Sequence, residues 1–237
     1  VNATDLIPVK GRKYTGRRAG AAYNPPAMRV LLVKTSSLGD VVHNLPVASD
    51  IRRVFPGATI DWVVEESFAE IPRLHPAVAK VIPVAIRRWR KSPLSSATWR
   101  EISAYRRAAN ADFHDAVIDT QGLIKSALLA RSARGTRCGH AGGSAREPLA
   151  AHFYQRRFSV PRHLHAVTRN RLLAAMALGY SLDDLPLDYG IAAPPLTAPW
   201  LPAGSYAVLL TATSLEMAAQ RDIDLNRELR VHGIANG

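Results

Sequence analysis

RVLLVKTSSLGDVVHNLP, residues 29–46, decides how this chain folds. An apolar run opens it, a polar loop of Lys, Thr, Ser, Gly and Asp follows, and a second apolar stretch at helical spacing begins at Val41. A strand that runs through a short polar loop into a helix is the repeating unit of a doubly wound parallel sheet.

The chain repeats that unit outward from this point. TIDWVVE (59–65), AVAKVIPV (77–84) and HDAVIDT (114–120) read as further strands, with helices expected over 41–54 and 96–109 and through QGLIKSALLARSA from 121. A short strand near TRCGH and two helices, near 146–157 and 165–179, complete an α/β, Rossmann-like domain over 28–189. Pro and Gly then cluster in GIAAPPLTAPWLPAGS, a linker over 190–205. YAVLLTATS (206–214) starts a new strand, so 206–237 reads as the beginning of a second domain, short of the ~100 residues such a domain needs. Residues 1–27, where five cations face only Asp5, read as a disordered basic extension.

Composition narrows the function classes. The formal net charge of +12 points to an anionic partner, whether nucleic acid, a phospholipid surface or a phosphorylated substrate. The apolar runs are far short of the ~20 residues of a membrane span, and no apolar segment follows the basic N-terminus as a secretory signal requires. A single cysteine, Cys138, excludes an internal disulfide framework and suits a reducing compartment, so a cytoplasmic location is expected. The histidines show no metal-ligand spacing, and no metal site is expected. Trp62, Trp89, Trp99 and Trp200 read as core or linker packing rather than as a base-stacking platform, and no nucleic-acid motif is present.

Ligands of doubly wound sheets bind at the carboxyl ends of the strands, which singles out three loops. In TSSLGD, the hydroxyls of Ser36 and Ser37, the backbone at Gly39 and the following helix N-terminus can hold an anion or orient a sugar hydroxyl. Ser37 and Asp40 equally fit a Ser-x-x-Asp capping box, which needs no ligand. IRRWRK (86–91) sets Arg87, Arg88, Arg90 and Lys91 in the loop after the third strand, as a phosphate or carboxylate grip or as a solvated charge run. DTQG offers Asp119, Gln121 and Gly122 after the fourth strand, with Asp119 as a possible cap. Neither common nucleotide-binding fingerprint is present.

Taken together, MRVLLVKTSSLGDVVHNLP, IDWVVEESFAEIPRLHPAV, VIPVAIRRWRK, DAVIDTQGLIKSALLAR and AREPLAAHFYQRRF resemble the lipopolysaccharide heptosyltransferase I family over residues 28 to about 214. The resemblance implies a GT-B architecture, with the acceptor on the first Rossmann-like domain and the nucleotide sugar on the second. It implies transfer of heptose from ADP-heptose to Kdo of Kdo-lipid A, by a single inverting displacement. Asp40 would then be the general base, and Ser36, Ser37, Gly39, Arg87, Arg88, Arg90, Lys91, Asp119, Gln121 and Gly122 acceptor-binding. Thr213 and Ser214 would be donor-binding. The family needs no cofactor and no metal, and works peripherally on the cytoplasmic face of the inner membrane.

After Ser214 the pattern departs: LEMAAQRD stands where the family continues into its donor domain. The resemblance therefore implies a chain that is inactive alone. The alternative is a non-catalytic module that holds anionic lipid A precursors, and a basic nucleic-acid-binding protein is a third, weaker reading.

Overall fold

Val30, Leu31, Leu32 and Val33 are all fully buried in strand β1 (Arg29–Val33), as a central parallel strand covered on both faces requires. The computed structural model describes residues 28–192. β1 pairs in parallel with β2 (Thr59–Glu65) on one side and β4 (His114–Asp119) on the other, with Val33 opposite both Val63 and Asp119. β3 (Val78–Val84) extends the sheet beyond β2, and β5 (Gly135–His140) and β6 (Arg156–Phe158) extend it beyond β4. The order β3-β2-β1-β4-β5-β6, parallel throughout, is the doubly wound sheet expected from the sequence.

Side chains alternate across the sheet with period two, and each face has its own helices. Val30, Leu32, Ile60, Trp62 and Ile118 pack with α2 (Leu45–Val54) and α7 (Ala166–Leu178). Leu31, Val33, Val63 and Val117 pack with α5 (Ser96–Ala109) and α6 (Ile124–Ser132). A buried bidentate pair, from Arg171 Nε and Nη2 to the two oxygens of Asp50 at 2.7 and 2.9 Å, ties α7 to α2. Because all six strands are parallel, every strand-to-helix loop opens on the same edge, and TSSLGD, the start of IRRWRK and TQG all lie there.

Three local expectations are corrected. The helix expected over 41–54 is two, α1 (Leu38–Val42) and α2, with Pro46 in the first turn of the second, where its missing N–H costs nothing. IRRWRK is not a loop but helix α4 (Ile86–Lys91), started by the Glu65 carboxylate, which accepts from the N–H groups of Ile86 and Arg87 at 3.2 Å each. Residues 66–73 add a 3-10 turn and a short helix, α3 (Glu70–Arg73). The helix expected near 146–157 is a 3-10 turn over Pro148–Phe153 followed by β6. The extension over 1–27, the linker after residue 192, the strand at 206–214 and the tail lie outside the described residues.

Candidate functional site

Lys34 is the first residue after β1, and the last place where an ammonium would be expected to be buried. It is only 4 % exposed, and its Nζ donates to the Thr120 carbonyl at 3.1 Å, bridging the loops after β1 and β4. Burial lowers its pKa from 10.5 to about 8, although the charges of Asp40 and Asp119 pull the other way. Gln121 completes the bridge. Its Oε1 accepts from the backbone N–H and hydroxyl of Thr35 at 2.7 and 2.8 Å, and its Nε2 donates to the Ser36 carbonyl at 2.9 Å. Beneath it Asp119, fully buried, accepts from Gln121 N, Gly122 N and the Tyr154 hydroxyl. Burial raises the Asp119 pKa despite these bonds, and the carboxyl holds the loop from below rather than facing a ligand.

Asp40 makes the capping contacts that its Ser-x-x-Asp spacing predicts. Its Oδ2 accepts from Ser37 N at 3.1 Å and the Ser37 hydroxyl at 3.3 Å, the reciprocal half of a capping box, and from Arg146 Nη1 at 3.4 Å. The Ser36–Ser37 peptide is cis. All three bonds fall on Oδ2, so Oδ1 makes none to any described residue. Partial burial pushes the Asp40 pKa up, but Lys34, the Ser37 N–H and Arg146 outweigh it and hold the carboxyl below its usual value. The group is therefore ionised at neutral pH.

A cavity of about 250 Å³ opens beside Asp40, lined by Lys34, Gln121, His140, Arg146, Arg169 and Asn170, among others. Three cations against one carboxylate give this cavity a net positive lining, which suits an anionic group. His140 stays neutral, since burial, with Arg169 and Lys34 nearby, lowers its pKa to about 3. Its buried Nδ1 has no hydrogen-bond partner among the described residues. Gly122 lets the walls meet. It has φ +67°, and a Cβ there would stand 3.3 Å from both Arg146 N and His140 Cδ2. Glu147 then fixes Arg146 in place, donating its N–H to the Gly122 carbonyl at 3.0 Å and accepting from Ile124 N, at the start of α6, at 2.7 Å.

Of the residues singled out from the sequence, Asp40 and Gln121 line this cavity. Ser36 accepts from Lys125 Nζ at 3.2 Å, and Ser37 spends its hydroxyl on Asp40. Gly39 has open space around it. Arg87 to Lys91 share the carboxyl edge but do not line the cavity, because β3 lies two strands from β1, about 10 Å away. Arg87 stacks over Phe68 at 5.6 Å, and Arg88 pairs with Glu66 and Glu101 at 3.1 and 3.0 Å. Sequence reasoning missed Lys34, His140, Arg146, Arg169 and Asn170. Thr213 and Ser214 lie outside the described residues.

The family model for glycosyltransferase family 9 (heptosyltransferase) matches residues 102–218. Lipopolysaccharide heptosyltransferase 1 of Escherichia coli K12 is 52% identical over 188 residues, which are 79% of this chain and 59% of that protein. Over residues 102–218 the chain is thus similar to glycosyltransferase family 9. Its Pseudomonas aeruginosa relative of the same name is 52% identical over 191 residues, 79% of this chain and 53% of its own. Among solved structures, E. coli heptosyltransferase WaaC with ADP superimposes with a TM-score of 0.67 at 52% identity, covering 69% of this chain and 51% of that one. The chain thus spans a little over half the length of the curated family members it matches. No helix among the described residues is long and apolar enough to cross a membrane.

Proposed function

We propose that this domain holds the Kdo-lipid A acceptor of an inverting heptosyl transfer from ADP-heptose, with Asp40 as the base. The observation that carries the reading is the half-satisfied Asp40 carboxylate. Oδ2 is anchored by Ser37 and Arg146, and Oδ1 is left without a partner beside a cavity with three cations. Kdo is an acidic sugar, and the site offers what such an acceptor needs: Lys34, Arg146 and Arg169 for its carboxylate, and Oδ1 for the hydroxyl proton.

In the transfer, the acceptor oxygen attacks the anomeric carbon of the heptose as the bond to ADP breaks, and Asp40 takes the hydroxyl proton. Lys34, held beside Asp40, keeps the carboxylate ionised before the reaction. Thr213 and Ser214 are read as donor contacts, and the amphiphilic acceptor sets the work at the cytoplasmic face of the inner membrane. A second reading, an acceptor-holding module without transfer, is favoured by one fact: every residue lining the cavity falls between 34 and 170.

The test is Asp40→Asn in a chain repaired to full length with a complete donor domain, assayed by ADP release with Kdo-lipid A and ADP-heptose, beside acceptor titration. Turnover is expected to fall about 10²–10⁴-fold with acceptor affinity nearly unchanged. A variant within about threefold of the parent would leave Asp40 a helix cap only. Acceptor binding without any transfer by the parent would select the module.

A further inference from the structure

The face of the domain formed by α4, α5 and α6 carries an apolar groove that the proposed transfer does not use. Its volume is about 530 Å³, and its walls are almost wholly apolar, built from Ile86, Trp89, Trp99, Ile102, Leu128 and Leu129. Trp99 is 58 % exposed, against the expectation that it packs in the core, and Leu94 and Leu128 are 92 % and 50 % exposed. A second depression on the other side of Trp99 is lined by Leu94, Arg100 and Arg107. Large apolar side chains gathered around one groove mark a contact surface rather than scattered exposure.

The charges on that face are of one sign. Arg90, Arg106 and Lys125 border the groove, and Arg100 and Arg107 flank Trp99. None of the five forms an ion pair with a described residue. The nearby acid on α5, Glu101, is already engaged by Arg88 Nη2 at 3.0 Å and by Trp89 Nε1 at 2.7 Å. Along α5 the outward positions 99, 100, 103, 106 and 107 recur at three and four, so Trp99 and three arginines share one stripe.

From this we infer that the α4–α5–α6 face docks on an anionic phospholipid bilayer, with Leu94 and Trp99 entering the headgroup boundary and the unpaired arginines on lipid phosphates. Trp beside Arg on one helix face, with Leu94 just before the helix start, is the pattern of an interfacial helix, whose apolar part buries shallowly while its cations stay at phosphate level. Charge complementarity selects an anionic leaflet over a neutral one. Lys125 joins the two regions: it lines the groove and donates to Ser36 Oγ at 3.2 Å in the loop before Asp40. Docking by this face would present the cavity to a lipid-borne acceptor, and to that extent the inference deepens the proposed function.

The experiment is co-sedimentation of the full chain with vesicles of phosphatidylcholine alone and with added phosphatidylglycerol. These carry neither acceptor nor donor, so the result is independent of the role of Asp40. The parent should sediment with the anionic vesicles and not with the neutral ones, less so as salt rises. Arg100→Ala/Arg107→Ala should weaken partition about 25-fold, since each surface cation contributes about fivefold. Leu94→Ser/Trp99→Ser should weaken it by about tenfold or more. Arg157→Ala, an exposed cation on β6, should leave it unchanged. Equal binding to neutral vesicles, no binding, or α5 variants indistinguishable from the parent would overturn the inference.

Discussion

Arg146 lies 3.4 Å from Asp40, across 106 residues of chain, and is the only described residue from beyond the 29–46 stretch that hydrogen-bonds to this carboxylate. The Asp40 side chain is 24 % exposed and that of Arg146 54 %, so the pair faces solvent and each is open to a ligand. A pair so exposed adds little to stability, about 0–1 kcal/mol, and its value lies in aiming Oδ1 and offering a cation beside it. Arg146→Met should therefore leave the thermal midpoint within a few degrees of the parent. Acceptor affinity should weaken about tenfold or more, with the loss shrinking at high salt. A large drop in the midpoint, or affinity equal to the parent, would make Arg146 a structural group instead.

Lys34 gives a stability signature with a defined sign. Its folded pKa of about 8 lies below the ordinary 10.5, so between those values the unfolded chain binds more protons than the folded one. Stability from this group is absent below pH 8 and gained as pH rises to 10.5, a change on the order of 3 kcal/mol. Lys34→Met removes the titration. Its stability relative to the parent should thus be most favourable near pH 7 and decline by pH 10.5, as measured by urea unfolding at several pH values. A pH-independent difference would mean that the ammonium is not buried as the structure shows.

The two loop glycines should behave oppositely. Gly122 needs its left-handed φ and sits against Arg146 and His140, so Gly122→Ala should cost about 1–3 kcal/mol and loosen the cavity wall. No atom lies within 4 Å of a Cβ placed on Gly39, whose position is inside α1. Gly39→Ala should be neutral or slightly stabilising. Denaturant midpoints of the two variants check this, and equal costs would refute it.

The sheet was legible because its central strands are continuous apolar runs, and Asp40 because Ser-x-x-Asp is a local pattern. What escaped was non-local. The helix at 86–91 depends on Glu65, twenty-one residues earlier, whose carboxylate caps it from the neighbouring strand. Arg146 and His140 come from the segment around β5, and Arg169 from α7, so no spacing in the chain announces that they meet Lys34. Two faint signals were available. A Lys directly after the four apolar residues Val30–Val33 has to be held by something, and Arg-Glu ahead of Pro148 places a cap and a cation side by side. The exposed Trp99 misled for the opposite reason, since helical spacing alone does not say which stripe faces the core.

The basic helix α4 can be resolved residue by residue, because its cations do not share one environment. Arg88 is already bound by Glu66 and Glu101, so a ligand phosphate must displace two carboxylates to engage it. Arg87 rests on the Phe68 ring. Arg90 and Lys91 are exposed and form no ion pair with a described residue. If this helix grips anionic groups of the acceptor, Arg90→Ala/Lys91→Ala should weaken acceptor binding several-fold, with a strong salt dependence over a Debye length of about 8 Å. Arg88→Ala alone should change it by less than about twofold, since Glu66 and Glu101 already neutralise its guanidinium. Titration of both variants with Kdo-lipid A at two salt concentrations decides the matter. An Arg88→Ala effect larger than that of the double variant would show that the ligand takes over the Glu66 and Glu101 partner, and equal affinities throughout would leave α4 a solvated face.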